Sequence, residues 1–169
     1  MAITDNTISP ELGKGKIAEG RKTEVDSRVA EEDQIDFGTG LVKGTNKERQ
    51  VVAFDGSSDA VVFDGIAGYA LNGDIDNGYY EKYDRVSCIR KGIVWVEVDA
   101  DSSGVEAGDK VAYVPSGNID AVSNLTEGSG GTYFADLSNV AEIKSNGDAG
   151  DLVKVEIDLP GNIEIKELA

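Results

Sequence analysis

Arg85-Val86-Ser87-Cys88-Ile89-Arg90-Lys91-Gly92-Ile93-Val94-Trp95-Val96-Glu97-Val98-Asp99 holds the only Trp and the only Cys of the chain together with its densest β-branched run. Such residues fit a pleated, half-buried surface, so Val86, Ile93, Trp95 and Val96 are expected in a core. Arg90-Lys91-Gly92 interrupts the run with two cations and a glycine able to take positive φ. The stretch therefore reads as a central hairpin, two strands joined by a short turn, in an all-β domain. Its meaning is architectural rather than catalytic.

Moving outward, short apolar runs alternate with turn formers. Residues 35–44, 50–54 and 61–70 read as strands, the last with a bend at its small residues. Residues 111–114, 119–122, 132–134, 140–143, 152–159 and 163–166 continue the pattern. Ala107-Gly108-Asp109 and Ala149-Gly150-Asp151 each feed a strand, which predicts two tight Gly-Asp turns. Gly128-Ser129-Gly130-Gly131 reads as the most flexible loop. Many short strands without long helices favour a small β-barrel or a sandwich-like domain over residues 35–169.

Residues 1–34 differ. Isolated apolar residues there fit neither a helical stripe nor a strict alternation, so an extended N-terminal arm is expected. All its cations, Lys14, Lys16, Arg21, Lys22 and Arg28, fall within residues 14–28. Such an arm is either solvated or a strap that orders on a partner. In the second case Ile17, Val25 and Val29 are the candidate anchors, and Arg21 and Arg28 the candidates for an acidic partner surface.

Composition removes several functions. With 169 residues the chain suits one domain able to bury about 70% of its unfolded surface. The formal charge is −16, from 32 acidic and 16 basic residues, which disfavours binding to a nucleic-acid backbone. There is no histidine, so His-based triads, metal sites and pH switches are excluded. A lone Cys88 between apolar neighbours reads as a buried hydrophobe. No apolar run follows a basic segment, and none approaches the ~20 residues of a membrane span, so no export signal and no membrane partner are expected.

Two further patterns carry less. Asn72, Asp74 and Asp76 alternate like calcium ligands, but an EF-hand loop wants Gly at its sixth position and a carboxylate at its twelfth. Those places hold Asn77 and Tyr83, so the segment reads as a turn-rich loop with no metal and no cofactor. Acidic residues throughout could pair as in a glycosidase, yet no motif selects two of them, so no enzyme and no catalytic residue are expected.

Taken in order, several phrases resemble the bacteriophage structural cement or capsid decoration proteins. They are Asp26-Ser27-Arg28-Val29-Ala30-Glu31, Ile35-Asp36-Phe37-Gly38, Gly40-Leu41-Val42, Phe63-Asp64-Gly65-Ile66-Ala67 and Gly78-Tyr79. The strongest is Arg90-Lys91-Gly92-Ile93-Val94-Trp95-Val96, followed by Gly108-Asp109-Lys110-Val111, Gly150-Asp151-Leu152-Val153 and Leu159-Pro160. The resemblance implies a β-rich body with an N-terminal arm, made in the host cytoplasm and carried on the outer capsid surface of the virion. It implies the major capsid protein as partner, self-association as a homotrimer, and stabilisation of contacts between capsid subunits. The alternative is a carbohydrate- or receptor-binding β-sandwich module using Tyr79, Tyr80, Tyr83 and Trp95.

Overall fold

The computed structural model describes residues 13–19, 22–70, 73 and 76–169. Among them the elements are thirteen strands: β1 (Glu24–Ala30), β2 (Ile35–Asp36), β3 (Gly40–Lys43), β4 (Gln50–Ala53), β5 (Phe63–Ala67), β6 (Tyr79–Tyr80) and β7 (Arg85–Glu97), then β8 (Val111–Tyr113), β9 (Ile119–Ala121), β10 (Tyr133–Asp136), β11 (Ala141–Ile143), β12 (Leu152–Asp158) and β13 (Glu164–Glu167). One 3₁₀ turn, Val122–Asn124, follows β9. The all-β expectation holds.

Arg85–Glu97 is not a hairpin. It is a single 13-residue strand whose two halves have different partners. The first half pairs antiparallel with β1, from Val25 opposite Ile89 to Val29 opposite Arg85. The second pairs with β12, from Asp158 opposite Lys91 to Leu152 opposite Glu97. Arg90 and Lys91 do not turn the chain because each finds an acid across the sheet: Lys91 meets Asp158 at 2.9 Å and Arg90 meets Asp64 at 2.7 Å. Gly92 between the halves holds φ +137°, which only glycine adopts readily.

The first half of β7 closes a barrel. The sheet runs β1-β4-β3-β5-β7, and β7 pairs back to β1, so five strands form a ring. Closure covers most sheet edges along the ring, but β4 reaches β1 only at Val29 and Ala30. Inside sit Ala30, Leu41, Val51, Ala67, Val86 and Cys88, joined by Ile35 and Tyr80 from the small β2–β6 pair and by Phe37 just after β2. Phe37 stacks edge-on against Tyr80 at 5.0 Å and Tyr69 at 5.4 Å. Thus β1, although it lies within the stretch 1–34, is one of the five barrel strands.

The second half of β7, with β12 and β11, faces a four-stranded sheet ordered β13-β10-β8-β9. Between them Val94, Val96 and Val98 pack with Val111, Ile119, Ile143, Val153, Val155 and Ile157. On β12 these residues alternate with Lys154 and Glu156, as a sheet with one wet face requires. Tyr113 of β8 ties this sheet to the barrel strands: it packs on Phe63 of β5 at 5.6 Å and donates its hydroxyl proton to the Gly38 carbonyl at 2.9 Å. Gly40 allows that approach: a Cβ there would lie 2.8 Å from Phe63 Cε2 and 2.9 Å from Tyr113 Cγ.

Both Gly-Asp turns are present, with φ +101° at Gly108 and +82° at Gly150. The glycine-rich loop, however, is held by the end of the chain. Gly128 N–H donates to the Glu167 carbonyl at 2.9 Å, and Gly130 N–H to that of Leu168 at 2.8 Å.

Candidate functional site

Large apolar side chains exposed among the described residues are Ile17, Val25, Val62 and Tyr83. Two of them share a face. The segment 15–18 lies antiparallel along the second half of β7: Gly15 N–H donates to the Trp95 carbonyl (2.7 Å), Trp95 N–H to that of Lys16 (2.9 Å), and Ala18 N–H to that of Ile93 (2.7 Å). Tyr69 N–H reaches the Gly15 carbonyl from β5's extension at 2.9 Å. Ile17 is thereby held beside Val25 of β1, and both line a groove of about 450 Å³ with Tyr69, Ser87 and Ile89. Lys16 Nζ sits 4.8 Å from the Tyr69 ring centroid at its rim.

Strand β1 borders this groove with an open stretch. Residues 24–27 are exposed, and β4 joins β1 only at Val29 and Ala30. The outward edge of residues 25–27 has no partner strand among the described residues. Such an edge is a template for an added strand.

The other residues expected on a partner surface are placed differently. Arg28 turns into the barrel end, where its Nε donates to Asp64 Oδ2 at 2.7 Å and its Nη2 to Asp26 Oδ2 at 3.2 Å. Val29 is half-buried, its amide bonded to the Arg49 carbonyl at 2.8 Å. Arg21 lies outside the described residues. Of the expected core, Val86, Ile93 and Val96 are buried. Trp95 is a correction: it is half-buried, on the opposite sheet face from Val94 and Val96, with Lys154 Nζ 5.5 Å from its ring centroid. The alternation of the strand decides this, since 94, 96 and 98 take the core face.

Sequence reasoning missed Asp64. It has no exposed surface, and it binds Arg28 and Arg90 at once, fastening β5 to β1 and β7. The available signal was a carboxylate inside the apolar phrase Phe63-Asp64-Gly65-Ile66, because a buried charge demands a partner. Cys88 Sγ lies 3.8 Å from Asp64 Oδ2. Burial, and next the Asp64 charge, pushes its thiol up to about 12, so it is not an active nucleophile.

No group of three or more His, Cys, Asp or Glu side chains is arranged to hold a metal among the described residues. Asn72 and Asp74 lie outside those residues. The aromatic set does not form one platform: Tyr80 is wholly buried, donating its hydroxyl proton to the Gly68 carbonyl, while Tyr83 is 73% exposed. What the molecule offers is an apolar groove beside an open strand edge, a surface suited to adhesion.

Residues 4–158 match the family described as structural cement protein (E217 gp24/Pam3 gp6). A chain in the structure of the capsid of Myoviridae phage XM1 shares the fold, with a TM-score of 0.59 and 21% identity over 87% of this chain and 90% of that one. No curated protein matches the chain.

Proposed function

The chain belongs to the phage structural cement protein family, and on that premise we propose that it binds the outer surface of the assembled head and ties neighbouring major capsid protein subunits together. The observation that carries this reading is the pairing of Ile17 and Val25 around one exposed groove at the open edge of β1. Residues ahead of β1 act as the strap, with Ile17 as its apolar contact beside Val25 of β1 and Arg21 as its cation. Arg28 serves the body instead, through Asp64.

The energetics are those of mass action. A ligand that binds only the assembled shell stabilises it by about 2.7 kcal/mol per site at 100 times its dissociation constant. Three linked copies would add avidity without new contacts, so self-association as a homotrimer belongs to the same proposal. A charge of −16 keeps the free protein soluble until it meets the shell.

The test is to mix purified protein with undecorated heads, image the product, and weigh the free protein by light scattering. Regular external density on the heads is expected. Absence of binding to any assembled shell overturns the reading.

A further inference from the structure

Three turns of this chain share one construction. In Glu106-Ala107-Gly108-Asp109 the first N–H donates to the Asp109 carboxylate at 2.8 Å, and the Asp109 N–H returns to the Glu106 carbonyl at 3.1 Å. In Asp148-Ala149-Gly150-Asp151 the corresponding distances are both 3.0 Å. Glu81-Lys82-Tyr83-Asp84 repeats the arrangement at 2.9 and 3.0 Å. The third position is left-handed in each: φ is +101° at Gly108, +82° at Gly150 and +74° at Tyr83. Tyrosine occupies the place that its two sister turns give to glycine.

A bulky side chain with positive φ is a backbone outlier, because its Cβ crowds the neighbouring carbonyl. Strain of this kind persists only where the surroundings impose it or use it. Here the turn is imposed by the Asp84 cap and by the Tyr83 N–H, which donates to the Ala30 carbonyl at the end of β1 at 2.9 Å. The ring gains little packing on the folded body in return. Tyr83 is the most exposed large apolar side chain described, at 73%, and Lys82 Nζ stands 5.5 Å from its ring centroid. The free protein therefore bears a backbone penalty at the residue that presents one aromatic ring to solvent.

We propose that Tyr83 is a preformed anchor that inserts into a pocket on a capsid subunit. This rests on the reading of the protein as a capsid binder. The chemistry of the pocket follows from that of the anchor: apolar walls for the ring, a carbonyl or carboxylate to accept the phenol proton, and an acidic rim for Lys82. Fixing the backbone beneath the ring on a capped turn removes the backbone part of the ordering cost that an aromatic on a flexible loop would bring to the interface.

The experiment uses the full chain with Tyr83→Gly and Tyr83→Phe, reading thermal melting of the free protein and affinity for undecorated heads. Tyr83→Gly is expected to raise Tm by about 2–6 °C, because the strain goes, while weakening head binding at least tenfold. Tyr83→Phe, which keeps ring and strain, is expected to melt with wild type and bind within a few-fold of it. Unchanged head binding by Tyr83→Gly overturns the anchor. A lowered Tm for Tyr83→Gly overturns the strain argument, and it does so whether or not heads bind. If wild type itself ignores the heads, the capsid reading fails instead. If Tyr83→Gly changes the mass of the free protein in light scattering, the pocket lies on a second copy and the capsid assignment is overturned.

Discussion

Asp64 Oδ1 accepts a hydrogen bond from Arg90 Nη1 at 2.7 Å, with the carboxylate fully buried and the guanidinium keeping an edge in solvent. The other oxygen holds Arg28, so one carboxylate ties three strands of the barrel at a single point. Removing one member of a buried pair leaves its partners charged and unmatched. Asp64→Asn is expected to cost about 3 kcal/mol, the low end for such a break because both arginines can still reach water. Urea denaturation monitored by Trp95 fluorescence measures it.

Cys88 is the second case of chemistry suppressed by burial. With its thiol pushed up to about 12, only about one molecule in ten thousand carries a thiolate at pH 8. A disulfide reagent such as DTNB is expected to leave the native protein unlabelled over hours and to react with one thiol per chain after unfolding in guanidinium. Prompt labelling of native protein would contradict the closed barrel.

The charge of Glu32 works against the fold. Burial raises its pKa, only partly offset by the hydrogen bond from Ala53 N–H, and the charges of Asp55 and Glu31 raise it further. A carboxyl raised on folding contributes stability below its unfolded pKa and loses that contribution as pH rises through its folded value. Glu32→Gln keeps the oxygen that faces Ala53 and is expected to melt higher than wild type at pH 7. The gain disappears at pH 4, where the wild-type side chain is protonated. Melting curves of both proteins across pH 4–8 decide it.

Gly92 sits where β7 changes partners, at φ +137°, and a Cβ at this position would lie only 3.1 Å from Thr23 Cγ2. Gly92→Ala is expected to destabilise the protein by about 1–3 kcal/mol. Gly78→Ala provides the comparison: its φ of +83° lies closer to the left-handed region that other residues reach, and a Cβ there meets nothing within 4 Å, so a smaller loss is expected. Thermal melting of the two variants beside wild type measures the difference.

Ile17 and Val25 are each close to half exposed, so replacing them with Asp removes little folded-state packing. The double variant is expected to stay within a few degrees of the wild-type Tm and to lose tenfold or more in affinity for undecorated heads, in a co-sedimentation assay. Unchanged affinity would move the contact face away from this groove.

The strands were largely legible because their alternation is local: residues 50–54, 111–114, 119–122 and 152–159 all read correctly from period and turn formers. The connection through Arg90-Lys91-Gly92 was not, because its polar residues are explained by Asp64 and Asp158, which are distant in sequence. Trp95 failed for a related reason: composition marks it as apolar, but which face of a strand is wet depends on the partner sheet. Of the face that brings Ile17 and Val25 together, the residue types were readable and the juxtaposition was not. It depends on residues 15–18 lying along β7. The same is true of Tyr83, whose oddity shows only beside two other turns.

Barrel closure also sets an order of events. Val25 must find Ile89, and Ile17 must find Val94, so both wait through about sixty to eighty residues of synthesis before their partners on β7 exist. Closing so long a loop is slow in proportion to the entropy lost. Until β7 emerges from the ribosome, only Val29 and Ala30 of the early segment have a strand to pair with, in β4. The last step that completes the barrel is then also the step that brings Ile17 and Val25 together, so a chain caught half-made lacks the groove that defines its adhesive face.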